Sequence, residues 1–164
     1  LKRTINTTIN IEEFDTMDDL SSADYDLMRK AEEAAGNAYA PYSAFFVGAA
    51  LLLENGKIVI GNNQENVAYP SGLCAERVAI FAAGAQYPNE RINTIAVTAR
   101  STQFKVDYPV SPCGACRQSM AEYENKQKEN IRLILKGETG NIYIVESVQS
   151  LLPLLFNEEG LKKI

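Results

Sequence analysis

The segment Phe45-Phe46-Val47-Gly48-Ala49-Ala50-Leu51-Leu52-Leu53 runs for nine residues without a polar side chain. A membrane helix needs roughly 20 such residues, so a run this short reads as a β-strand. A strand with one wet face alternates apolar and polar positions, whereas a continuously apolar one must be covered on both faces. The chain therefore needs a sheet with further elements on each side. Glu54-Asn55-Gly56-Lys57 supplies a hairpin turn, and Lys57 to Gly61 reads as the returning strand.

The covering elements are legible. Ser21 or Ser22 caps a helix whose buried face is Leu27, Ala31, Ala34, Ala35 and Ala38, and which Pro41 is expected to stop. Cys74 to Gln86, rich in alanine with Val78, Ile80 and Phe81, reads as a second helix buried around most of its circumference. Arg91 to Ala99 predicts a third strand, and the polar stretch Arg100 to Ser111 a crossover loop. Pro112 then opens a helix over Cys113 to Tyr123. Strands at Ile131 to Leu135 and Asn141 to Val145 follow, with a short helix from about Ser147 to Leu152, while Ile5 to Phe14 reads as an extended arm. Strands alternating with helices predict an α/β fold, a three-layer α/β/α sandwich around a central sheet. The 164 residues suit one domain, expected over residues 21–164 behind an N-terminal extension at 1–20.

Charge and composition exclude several functions. Sixteen Lys and Arg against twenty-one Asp and Glu give a net charge of −5 without any basic block, so nucleic acid is not an expected partner. No membrane span is expected, and no apolar stretch follows Lys2 and Arg3 as a secretory signal would require, so the expected location is cytoplasmic. The sequence contains no histidine, which removes Ser-His-Asp and Cys-His catalysis. Its three cysteines, Cys74, Cys113 and Cys116, are an odd number and a poor disulfide framework. Thiol chemistry or metal binding is the better expectation.

Cys113-Gly114-Ala115-Cys116 sets two thiols three residues apart at a predicted helix start, suited either to a redox dithiol or to a metal. Cys74 opens the other helix and is followed by Glu76 and Arg77. Three thiolates fill three corners of a zinc tetrahedron and leave the fourth open, as catalytic zinc requires. Glu76 is then placed to carry protons, and Arg77 to donate to a ligand sulfur and offset the thiolate charge.

Cys74-Ala75-Glu76-Arg77 with Ser111-Pro112-Cys113-Gly114-Ala115-Cys116-Arg117-Gln118 resembles the zinc cytidine deaminases. Ala40-Pro41-Tyr42-Ser43, Phe45, Val47 to Leu51, Asn63, Glu65-Asn66 and Tyr69 resemble the small, all-cysteine, homotetrameric nucleoside deaminases among them. The likeness extends from about Ala23 to Phe156. It implies one Zn²⁺ per chain held by Cys74, Cys113 and Cys116, catalysis by Glu76, and a free cytidine or deoxycytidine substrate. Asn63 and Glu65 would bind the ribose hydroxyls, Phe45 would line the pocket against the base, and Ala75 would meet the pyrimidine through its backbone. Phe156 would reach a neighbouring subunit's site. Deaminases of blasticidin-type antibiotics share the cysteine motifs and are the alternative within the same chemistry. This chain departs from the compact family pattern in its extension, in the long 100–111 connection, and at Asn62, where many relatives carry another cysteine.

Overall fold

A computed structural model describes residues 1–157; the last seven residues of the expected domain, 158–164, lie outside the described part. The strands are β1 (Glu12–Phe14), β2 (Phe45–Leu53), β3 (Ile58–Asn62), β4 (Ile92–Ser101), β5 (Arg132–Lys136) and β6 (Ile142–Val145). The α-helices are α1 (Ser22–Ala35), α2 (Ala75–Gln86) and α3 (Gly114–Gln127). One sheet of order β1-β6-β5-β4-β2-β3 holds all six strands. Only β4 and β5 are parallel neighbours, so the sheet is mixed.

The side-chain period of two along each strand sorts the core into two layers. Ala49, Leu51 and Leu53 of β2, with Ile95, Val97, Leu133, Leu135 and Val145, meet Ala75, Ala79, Ile80 and Ala83 of α2 and Met120 and Ala121 of α3. Ala50, Ala96, Ile134, Ile142 and Ile144 point the other way, against Leu27, Met28 and Ala31 of α1. The expected α/β/α sandwich is therefore present, and β2 is apolar throughout because each face has its own helix layer.

Four local expectations need correction. α1 stops at Ala35 with Gly36 as its C-cap, upstream of Pro41, so Ala38 lies beyond the helix and is only half-buried. The Gly36 N–H bonds back to the Glu33 carbonyl at 3.1 Å, and the chain turns there. Only residues 12–14 of the amino-terminal arm form a strand, pairing antiparallel with β6. α3 runs four residues past Tyr123, ending where Lys128 adopts a left-handed φ of 60°. The last short helix is a single 3-10 turn, Val148–Leu151.

Two charged side chains fasten α1 to the sheet. Arg132 of β5 donates to both carboxylate oxygens of Asp24, at 2.6 and 2.9 Å, and the buried Lys136 Nζ donates to Glu32 at 2.9 Å. On the opposite face, Gly61 of β3 lets α2 approach closely. A Cβ there would stand 2.5 Å from both the Ala75 carbonyl oxygen and the Ala79 nitrogen. The first turn of α2 is thus seated directly on the end of β3.

Candidate metal centre

Strand register brings several ends together. Phe45 at the start of β2 pairs with Ser101 at the end of β4, and Asn62 at the end of β3 pairs with Gly48. Past these ends the chain enters two loops that deliver the N-termini of α2 and α3. The loop after β3 is stitched by Gln64, whose backbone exchanges hydrogen bonds with Leu73 at 2.9 and 3.0 Å, while Tyr39 bonds the carbonyl of Asn63 at 2.9 Å. Leu73 is thereby held immediately before Cys74. The second loop is held by Arg117, which donates from Nε to the Pro112 carbonyl at 2.8 Å and from Nη1 to the Leu151 carbonyl at 2.9 Å.

Cys74 is the N-cap of α2 and Cys113 the N-cap of α3, with Cys116 in the first turn of α3. Their sulfurs converge: Cys74 to Cys113 is 3.9 Å and Cys113 to Cys116 is 3.5 Å. All three lie within 4.8 Å of one another. Zinc–sulfur bonds of about 2.3 Å imply sulfur–sulfur edges of about 3.8 Å in a tetrahedron, so the donor set fits that metal. Among the described residues no carboxylate joins the cluster as a fourth ligand. Two helix N-termini, neither capped by a side chain, place positive dipole ends where thiolates would gather.

The surroundings favour negative sulfur. The Cys74 thiol is held down at about 5, chiefly by a hydrogen bond from Cys116, with Arg77 and Cys113 adding to it against the opposing effect of burial. Cys116, as donor in that bond and buried, is pushed up. Arg77 Nη2 lies 3.8 Å from Cys74 Sγ, and its Nε–H is buried without a hydrogen-bond partner. A guanidinium so placed calls for anionic acceptors beside it. Glu76 is 5% exposed. Burial raises the pKa of its carboxyl, and the negative charge of Cys74 raises it further.

A cavity of about 420 Å³ opens beside Cys74 and Arg77, lined also by Tyr42, Asn63, Glu65 and Tyr69. Asn63 is buried, its Oδ1 accepting from Val47 N at 2.8 Å and its Nδ2 donating to the Phe45 carbonyl at 2.9 Å. Glu65 accepts from the N–H groups of Tyr42 at 2.9 Å and Ser43 at 3.3 Å, and from the Ser43 hydroxyl. These bonds outweigh desolvation and hold its carboxyl below the ordinary range. Both side chains thus brace the loop on which they sit while bordering the cavity. Ala75 is fully buried in the first turn of α2. Phe45 stands two strand positions before Val47 and stacks on Phe104 rather than bordering this cavity, so the expectation that it lines the pocket is not met here. Phe156 is 71% exposed and does not line this cavity, its carbonyl taking a hydrogen bond from Gln118 of α3 at 2.8 Å.

Arg117 and Glu124 carry structural roles that their sequence surroundings do not signal. The buried Glu124 carboxylate accepts from Ile131 N (2.8 Å), Val148 N (2.9 Å), Gln149 N (3.3 Å) and the Ser147 hydroxyl (2.7 Å). It ties α3 to β5 and to the turn after β6. Position 124 sits four residues beyond the buried Met120, and that spacing was its one available signal.

Comparison with known proteins agrees with this geometry. Residues 21–128 match the family model described as the cytidine and deoxycytidylate deaminase zinc-binding region. A cytidine deaminase of Sporosarcina psychrophila is 42% identical over 135 residues, 82% of this chain and 92% of that protein. One from Halalkalibacterium halodurans is 38% identical, over 82% of this chain and 95% of the relative. The crystal structure of cytidine deaminase from Burkholderia pseudomallei superposes with a TM-score of 0.69 at 37% identity, covering 84% of this chain and all of that one. The enzyme from Mycobacterium tuberculosis gives 0.61 at 32% identity, covering 80% and 94%.

Proposed function

The chain belongs to the cytidine and deoxycytidylate deaminase family, hydrolases of the C–N bond in cyclic amidines, and we propose that it converts free cytidine and deoxycytidine to uridine and deoxyuridine with release of ammonia, a pyrimidine-salvage reaction. The observation that carries this reading is a single buried carboxylate, Glu76, set against three converging thiols at the meeting point of two helix N-termini.

Cys74, Cys113 and Cys116 hold one Zn²⁺ per chain, and zinc in such a site supplies a Lewis acid that brings the acidity of water toward neutral pH. Glu76, with its pKa raised by burial, is suited to exchange protons with that water. It accepts a proton from the attacking water and delivers it to the ring nitrogen beside the amino-bearing carbon. It then passes the second proton of that water to the amine, which departs as ammonia while the carbonyl of uridine forms. Arg77 offsets the charge of the thiolates. The Ala75 backbone meets the pyrimidine amide.

Asn63 and Glu65 take the ribose hydroxyls with the hydrogen-bonding capacity their loop contacts leave over. An amide oxygen has two lone pairs and its NH₂ two hydrogens, and a carboxylate has about four acceptor sites. The net charge of −5 supports a free nucleoside over a polynucleotide. Residues 21–164 form the deaminase domain and 1–20 its extension. The assembly is a homotetramer in which Phe156 serves a neighbouring site, and the expected location is the cytoplasm.

The test is ammonia release, with the ultraviolet change, on adding cytidine, deoxycytidine, cytosine, adenosine or blasticidin to protein of measured zinc content. Both cytidines are expected to turn over at one zinc per chain. Glu76→Gln should retain zinc and fold yet lose about 10²–10⁴-fold in turnover, and Cys113→Ala should lose the metal. Turnover of blasticidin alone, or full activity in Glu76→Gln, would refute the substrate or the proton-carrier assignment respectively.

A further inference from the structure

Residues 1–11 are exposed throughout and belong to no strand or helix. Their sequence is nevertheless that of a strand. Taken in alternation, Ile5, Thr7, Ile9 and Ile11 share one face and Thr4, Asn6, Thr8 and Asn10 the other, the pattern of a strand with one covered side. Isoleucine and threonine are also residues that strands favour. Yet the isoleucine stripe is open to solvent. The segment directly continues into β1, which is already paired with β6, so the arm leaves the sheet at its outer edge.

One edge of the sheet matches this arm. β1 and β3 are the two outer strands. β1 opens with Glu12 and Glu13, and charged side chains guard an edge against pairing with another chain. β3, Ile-Val-Ile-Gly-Asn, carries no charge and no proline. Its Ile58 and Ile60 are 41% and 49% exposed. They stand opposite Leu52 and Ala50 of β2, on the side of the sheet that packs against α1, and so extend that core layer outward to the edge. The backbone groups of β3 that point away from β2 are a row of donors and acceptors suited to one more strand.

We propose that the arm of one copy of this chain adds to the outer edge of β3 in a second copy, as a seventh strand. Its isoleucine face then lies beside Ile58 and Ile60 at the cross-strand spacing of about 5 Å, which covers both apolar stripes and pairs both backbones. A chain's own arm does not suit its own β3. The two edges are five strand spacings apart, about 24 Å, and 11 extended residues span at most about 36 Å. Crossing would consume about seven of them, Ile11 and Ile9 included, before pairing began. Charge favours exchange as well: the arm carries Lys2 and Arg3 and no acid, whereas the whole chain stands at −5.

Hydrogen exchange and photo-cross-linking test this. Amides of residues 58–61 are expected to exchange about tenfold or more slowly in the full chain than in one lacking residues 1–11. A peptide of residues 1–11 added to the shortened chain should restore the slow rate. Ile60→Lys in the full chain should speed exchange as the deletion does, with zinc content as in the native chain. A benzophenone side chain in place of Ile9, irradiated, should link to residues 57–62 of another chain and give a covalent pair on a denaturing gel. Equal exchange in the full and shortened chains overturns the proposal, as does a peptide that restores nothing. A link formed only within single chains, or only to another segment, overturns it too.

Discussion

Replacing Gly61 with alanine tests how strictly the sheet sets the position of the chemistry. The added Cβ would lie 2.5 Å from both the Ala75 oxygen and the Ala79 nitrogen, and 2.9 Å from the Ala79 methyl. An ordinary contact needs about 3.5 Å, so the first two turns of α2 must retreat by roughly 1 Å. Backbone on both sides leaves no flexible side chain to yield instead. Overpacking of this kind costs about 1–3 kcal/mol, a fall in melting temperature of about 3–10 °C for a chain of this size. The same displacement moves Cys74, Glu76 and Arg77 against Cys113 and Cys116, which α3 carries independently. A misplacement of about 1 Å is expected to lower kcat about 10²-fold. Gly56→Ala is the control. Gly56 has a φ of 80° and open space around it, at the hairpin tip before β3 rather than at the β3 end that meets the first turn of α2, so alanine there costs about 1–2 kcal/mol through backbone strain alone. Thermal unfolding, zinc analysis and steady-state kinetics on both variants separate the effects. Similar losses of stability with loss of turnover only in Gly61→Ala is the expected result. Native kcat in Gly61→Ala, at whatever stability, would refute the argument that the β3–α2 contact sets the site.

Two further perturbations address the scaffold. Glu124→Ala leaves the Ile131 and Val148 N–H groups buried without their acceptor, at about 1–3 kcal/mol each. Urea denaturation should show a loss of about 3 kcal/mol or more, with one zinc per chain retained in the folded protein. Burial raises the Asp24 carboxyl, but its bonds to Arg132 and Ser21 outweigh that and hold it below its ordinary pKa. A depressed folded pKa gives stability that is present above the unfolded value near 4 and lost as pH falls through the folded one. Asp24→Asn should therefore be less stable than the native chain at neutral pH, with the gap closing below about pH 4. A constant gap across that range of melting temperatures would remove Asp24 from the acid response.

The site was more legible than its supports. Zinc chemistry could be read from three cysteines in a chain without histidine, since thiolate ligation, an open corner and a nearby carboxylate are properties of residue types and short spacings. Helix starts at Cys74 and Cys113 were equally local, marked by Gly72 before one and Pro112 before the other. By contrast, Asn63 and Glu65 each make several contacts with the 42–47 segment, and no local pattern announces them. Glu124 falls one residue past the helix expected from the sequence, and only because α3 runs on through it does it come under the residue 147–149 turn.

The sequence by itself determined that a strand at Phe45 to Leu53 must be covered on both faces, and that any metal must be held without imidazole. Both follow from composition over short stretches or the whole chain: an apolar run without the period-two alternation of a half-exposed strand, and the absence of imidazole. Only the tertiary structure decided that Cys74 meets a cysteine 39 positions away, that three residues of the amino-terminal arm pair with β6, and that Phe104 folds back on Phe45. Those outcomes depend on strand register and on how closely glycines such as Gly61 let helices approach. They are sums of many weak contacts across the whole core, and no short stretch of sequence contains them.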